Sequence, residues 1–294
     1  MHRFKLLRGW LARQPGNLRG IFWVGFSGIL FAGLNVATLY PAQHLNPWVM
    51  AFLRYGFGLV LVIALRPMGR SYPVATQQLG LHALRGFLHA GGIVLWFVAL
   101  PHVTLADITA LGFTGPIFVT LGAALFLGER VGLTRWLGVA AGFTGAMIIV
   151  RPGFQELSVH TLAILASVPV FATSNLIAKQ LARRDGAGTI VFWQNVWITL
   201  FCLPAAALNW MQPSLLDLAW FVAAGLLGTL GHLAMQRGYQ IADITALQPV
   251  GFLTLIWNTI FGYFLFAQRP DIWTFIGATV IFVSVAWFSR REAR

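Results

Sequence analysis

With 58% of its 294 residues hydrophobic and only 10% charged, this chain has too little polar surface for a soluble globular domain. Its formal charge of +12 would suit a nucleic-acid binder, but the basic residues are dealt out between apolar stretches rather than gathered into one patch. Cys202 is the single cysteine, which excludes an internal disulfide framework.

Residues 1–19 read as a basic tail, and no cleavable signal peptide is expected there. Its Phe4, Leu7, Trp10 and Leu11 suit either a short amphipathic helix on the inner leaflet or a disordered segment. Beyond the tail, ten segments reach the roughly 20 apolar residues that a membrane span needs. They cover about 20–40, 47–66, 80–100, 104–127, 132–150, 159–180, 187–208, 214–238, 242–266 and 271–290. Short linkers make each expected helix antiparallel to the next. Spans 3 and 4 are joined through Pro101-His102-Val103.

A cytoplasmic N-terminus would place seventeen of the twenty basic residues on one side, Arg85 among them. Arg151 and Arg269 fall on the other side, and Arg54 lies inside span 2. By the positive-inside rule, both termini are expected in the cytoplasm of a multi-pass inner-membrane protein.

Span 1 carries Gly25, Gly28, Ala32 and Asn35 near one stripe, where small residues admit a neighbouring helix closely. Asn35 needs partners for its amide in hydrocarbon, either across a helix interface or in a central cavity. Arg54 sits about seven residues, roughly 10 Å, into span 2. Intramembrane charges are costly, so it either faces the protein interior or snorkels to the outer headgroups. Span 3 brings His89 and Trp96; the histidine is a candidate proton carrier or a neutral, hydrogen-bonded core residue.

Span 4 opens with Ala106-Asp107-Ile108-Thr109-Ala110-Leu111, and the same six residues return as Ala242 to Leu247 at the start of span 9. A perfect hexapeptide repeated 136 positions later reads as an internal duplication. Ser27, Phe31, Ala32, Asn35 and Phe52 recur as Ser167, Phe171, Ala172, Asn175 and Phe192 at a constant offset of 140. The units are therefore residues 20–150 and 159–290. Because each holds five spans, the second is expected to be inverted across the bilayer.

Asp107 and Asp243 stand in the first turns of their spans, where a carboxylate either caps the helix or takes part in coupling. Pro116 and Pro249 each remove a backbone donor from spans 4 and 9. Interrupted helices at matching places in two halves point to a transporter's binding site. In the second half, Gln194 takes the place of Arg54, and His232 in span 8 aligns with Trp96 through the hexapeptide. Trp257 lies mid-span in span 9. Spans 5 and 10 read as scaffold.

The run from Pro116-Ile117-Phe118 to Phe126-Leu127-Gly128-Glu129-Arg130, then Trp136-Leu137-Gly138 and Gly142, resembles the drug/metabolite transporter superfamily, specifically its ten-helix EamA-type permeases. Phe52-Leu53-Arg54-Tyr55 resembles that family's aromatic-arginine-aromatic signature, and the likeness extends from about Gly20 to Arg290. It implies a cavity between helices 1–4 and 6–9, with helices 5 and 10 outside, and alternating access. Phe266-Ala267-Gln268-Arg269 departs from the pattern, leaving Glu129 as the one of the family's two matched loop glutamates that is present.

The expected function is a secondary transporter, in the export direction, of a small amphipathic metabolite such as an amino acid. The alternative substrate is an anionic cofactor or nucleotide-like metabolite. A lipid-metabolising membrane enzyme would need clustered carboxylates that this sequence lacks. Asn35, Arg54, Trp96, Pro116, Asn175, Gln194, His232, Pro249 and Trp257 are the substrate-site candidates. His89, Asp107, Asp243 and Glu129 are the coupling or gating candidates. No cofactor, metal or nucleic acid is called for, and the oligomeric state is monomer or homodimer.

Overall fold

The computed structural model describes residues 16–64, 74–103, 111–112, 114–150, 158–266 and 272–292, and every regular segment among them is helical. In order these are α1 (Gly16–Ala42), α2 (Pro47–Ala64), α3 (Leu79–Ala99), α4 (Gly115–Gly122, continued by a π-helical turn over Ala123–Leu127) and α5 (Leu133–Val150). Then come α6 (Val159–Leu181), α7 (Ala187–Leu208), α8 (Leu215–Ile241), α9 (Ile244–Gly251), α10 (Leu253–Phe266) and α11 (Ile272–Glu292). Among the described residues, seven helical stretches are long and apolar enough to cross a membrane: α1, α2, α3, α6, α7, α8 and Ile244–Phe261. Shorter apolar helices cover Gly115–Leu127 and Phe275–Ser284. Asp107, Phe4, Leu7, Trp10 and Leu11 lie outside the described residues.

Several starts are set by local chemistry. Ser158 accepts a hydrogen bond from the Thr161 amide at 3.1 Å and so caps α6. Ser214 and Asp217 form a reciprocal capping box at the start of α8.

Neighbouring helices form a closed ring. α1 packs on α8, α8 on α2, α2 on α7, α7 on α3, α3 on α6, α6 on α4, α4 on α9, and α9 back on α1. α5 and α11 pair with each other and touch the ring through α9 and α1. The polarity is the reverse of a soluble protein. Leu125, Phe126, Phe264 and Phe275 face outward, whereas Arg54, Arg85, His89, Gln194 and His232 are buried.

Glycines set the closest helix approaches, and they do so twice. A β-carbon added at Gly92 of α3 would lie 2.8 Å from the Phe171 ring of α6; one at Gly231 of α8 would lie 2.8 Å from the Phe31 ring of α1. Gly86 meets Trp197 of α7, and Gly225 meets Phe57 of α2. Within these contacts the aromatic partners are 140 positions apart and the glycines 139.

Three sequence expectations are revised. Span 4 does not bend at Pro116: α4 begins at Gly115, so the proline stands in the first turn, where its missing N–H costs no bond. Span 9 is two helices, α9 holding Pro249 and ending at Gly251, and α10 starting at Leu253. Arg85 is also not on a basic surface, being fully buried in α3.

Candidate functional site

The ring encloses a cavity of about 380 Å³, within the range for small-molecule sites. Of the sequence candidates, Asn35, Trp96, Pro116 and Asn175 line it. α1 and α6 contribute matched residues: Ser27 and Ser167, Phe31 and Phe171, Asn35 and Asn175. Their hydroxyls are internally satisfied, Ser27 Oγ donating to the Val24 carbonyl and Ser167 Oγ to the Ile164 carbonyl, both at 2.7 Å. The helix breaks reach the cavity through Gly112, Gly115 and Gly251. Backbone carbonyls of interrupted helices are tolerated at such depth where they line a cavity.

Residues beyond the sequence candidates complete the wall: Tyr239, Gln248, Thr254, Asn258 and Met235. No Asp, Glu, Lys, Arg or His lines this cavity among the described residues. The wall is therefore built of aromatic and aliphatic side chains, with carboxamides that both donate and accept hydrogen bonds. It can stack a flat ring and bond its edge, but it offers no countercharge.

The remaining candidates lie elsewhere. Gln194 and His232 are buried beside the cavity in one chain of bonds. Arg85 Nη2 donates to Gln194 Oε1 at 2.7 Å, and Gln194 Nε2 lies 3.1 Å from His232 Nε2. His89 places Nδ1 3.1 Å from Ser174 Oγ, and its ring centroid is 5.6 Å from that of His232. The two histidines thus meet across α3 and α8 in the buried interior. Arg54 is buried on α2, its guanidinium 4.0 Å from the Tyr55 ring centroid. It faces a smaller chamber of about 100 Å³ that shares Asn35, Trp96 and Phe171 with the main cavity. Pro249 is buried in α9 away from the cavity lining. Trp257 flanks Gly28 on α10, with its Nε1 buried and unpartnered.

Below the cavity, an apolar floor that includes Val119, Leu176, Tyr239 and Leu247 separates it from a polar clasp at the Gly16 end of the bundle. Gly128, in the left-handed conformation at φ 68°, turns the chain after the π-helical turn and presents Glu129. Glu129 accepts from the Ile244 and Thr245 amides at 2.9 and 3.1 Å and from Thr245 Oγ1 at 2.7 Å. It thereby caps α9 from the other half of the chain. Asp243, although at the N-cap position of α9, makes no cap bond; its carboxylate pairs with Arg135 at 2.8 Å. Arg135 also donates to Thr245 Oγ1 at 2.7 Å. Lys179 donates to the Tyr239 carbonyl at 2.7 Å and to the Ala242 carbonyl, and Arg183 to the Leu127 carbonyl at 3.0 Å.

Comparison with known proteins agrees with this architecture. The EamA-like transporter family matches the chain twice, over residues 18–151 and 158–290. A riboflavin transporter of Rhizobium johnstonii is 33% identical over 293 residues, covering 97% of this chain and 95% of that one. A riboflavin transporter of Vibrio cholerae is 31% identical, covering 94% and 95%. An S-adenosylmethionine uptake transporter of Rickettsia bellii is 26% identical, covering 89% and 90%. One solved crystal structure superposes with a TM-score of 0.74 at 19% identity over 92% of this chain and 98% of its own, a likeness of fold alone.

Proposed function

The chain belongs to the EamA-like transporter family, a carrier of small metabolites in the inner membrane, and from that premise we propose that it carries a neutral, flat heteroaromatic molecule of the riboflavin class. The uncharged cavity carries this reading. Phe31, Trp96 and Phe171 supply ring faces, while Asn35, Asn175, Gln248 and Asn258 supply paired donors and acceptors. A flavin ring has an edge of alternating donors and acceptors and a polyhydroxyl tail, which suits that lining. The riboflavin transporters among its relatives support the same class. An amino acid zwitterion or the sulfonium of S-adenosylmethionine would want countercharges that this wall lacks.

Transport is by alternating access between two five-span halves of opposite orientation, ten spans in all, with both termini in the cytoplasm. The twofold family match and the reciprocal glycine–aromatic contacts support the repeat. In this orientation the Glu129 clasp seals the cytoplasmic end, so the conformation described here faces away from the cytoplasm.

Purified protein in proteoliposomes is expected to move radiolabelled riboflavin saturably, with inhibition by unlabelled riboflavin and none by S-adenosylmethionine. Trp96→Ala is expected to raise the KM about tenfold, the loss of one aromatic stacking contact of about 1.4 kcal/mol. Riboflavin flux no greater than in protein-free vesicles would overturn the reading.

A further inference from the structure

The side chamber at Arg54 is built differently from its counterpart in the second half. There, the position equivalent to Arg54 is Gln194, and it is bonded to Arg85 on one side and set against His232 on the other. On the first-half side the space is a chamber of about 100 Å³, walled by Asn35, Thr38, Ile93, Trp96, Phe97 and Phe171. Arg54 enters it from α2, and only 4% of the residue is exposed.

Two buried cations share this interior. Arg54 Nε has no hydrogen-bond partner, and neither do Arg85 Nε and Nη1. No acidic residue pairs with either arginine among the described residues. Asp217, a fully buried carboxylate, pairs with His44 at the far end of α8. Buried charges are ordinarily paired or neutralised, and an arginine fork cannot shed its proton. A β-carbon at Gly228 would lie 2.6 Å from Arg54 Nη2, so the bare glycine lets the fork rest against α8. The same helix could have supplied a carboxylate here and does not.

We propose that this chamber is an anion site, holding one small anionic group between the Arg54 guanidinium and the Asn35 amide. The group is either the phosphate ester of a flavin, which rests on the riboflavin-class reading of the ring and widens the neutral cargo to one with an anionic arm, or a free inorganic anion bound independently of it. The chamber adjoins the main cavity at Asn35, Trp96 and Phe171, so a ring stacked there could extend a charged arm into it.

The test uses the full-length protein in detergent, in a gluconate buffer free of chloride and phosphate. Two readouts are taken: thermal midpoint against added chloride or inorganic phosphate, and affinity for riboflavin and flavin mononucleotide by flavin fluorescence. If the arm is the substrate's, flavin mononucleotide binds at least tenfold tighter than riboflavin, and the ratio collapses toward one in Arg54→Gln. If the anion is free, chloride or phosphate raises the wild-type midpoint, with no such gain in Arg54→Gln and a partial gain in Arg54→Lys. Failure of both flavins to bind, with the anion-dependent midpoint intact, would reject the flavin reading and keep the site. A wild-type protein with no anion-dependent midpoint and no preference between the flavins would overturn the site, even if Arg54→Gln fails to fold.

Discussion

Asn35 and Asn175 show what a single side chain contributes here. Both were legible as unusual residues in hydrocarbon and as partners at an offset of 140, and both line the cavity. Replacing either with leucine keeps the volume and removes the amide. A ligand group left unbonded in a dry site costs about 1–3 kcal/mol. Asn175→Leu is therefore expected to weaken substrate affinity roughly 5- to 150-fold while leaving the thermal midpoint of the unliganded protein within a few degrees. Equilibrium binding to the purified variant checks this, and an unchanged Kd would remove Asn175 from the site. Gly92 and Gly231 were harder to read. Each faces a phenylalanine on a helix from the other half, and the sequence shows which residues repeat but not which of them touch. Their offset is 139, so matching α3 to α8 through the hexapeptide alone pairs Trp96 with His232 and misses the register. In the folded protein Trp96 and Met235, 139 apart, both line the cavity. Arg85 was misplaced for a related reason. A charge near a span end reads as a loop residue until a partner such as Gln194 is seen inside.

At the scale of elements, the interrupted helices were foreseeable from their prolines, but not the form of the interruption. Pro116 starts α4 and Pro249 sits two residues before the end of α9. The same residue type thus takes different places at the two breaks, in the first turn of α4 and inside α9. The cap on α9 was not foreseeable from Asp243, since the adjacent Arg135 captures that carboxylate and leaves the helix amides to Glu129. Only the folded chain brings Glu129 across 115 positions to α9. Removing this cap by Glu129→Ala is expected to cost about 0.5–2 kcal/mol of local stability. Amides of Ile244 to Leu247 should then exchange with deuterium several-fold faster, without a comparable change in α1 or α6. Glu129→Gln keeps one acceptor and should fall between. Exchange in α9 equal to wild type would show that the clasp does not hold this helix.

On the whole molecule, the helix ring has an internal correspondence that its contacts repeat. α1 packs on α8 as α6 packs on α3, and α2 pairs with α7 and α5 with α11, each joining equivalents. Composition and apolar length were enough to read the class, because hydrocarbon imposes them on every span. The cavity's composition was only half legible. Ser27, Phe31, Ser167 and Phe171 stood out as repeated pairs, whereas Tyr239, Gln248 and Asn258 carry no pattern that separates them from ordinary polar residues in helices. An inverted arrangement makes a demand on topology that a parallel one does not: equivalent turns must emerge on opposite sides of the membrane. Gln43 follows α1 and Arg184 follows α6, one residue from strict equivalence, and both are exposed. Cys202 is fully buried, so the native background to a thiol reagent is low. In intact cells, Gln43→Cys is expected to react with a membrane-impermeant maleimide, and Arg184→Cys only after permeabilisation. Gln212→Cys, ahead of α8, should follow Gln43→Cys, and Arg290→Cys should follow Arg184→Cys. Labelling of Gln43→Cys and Arg184→Cys from the same side would exclude the inversion, and the shared cavity would then need another origin than two halves facing opposite ways.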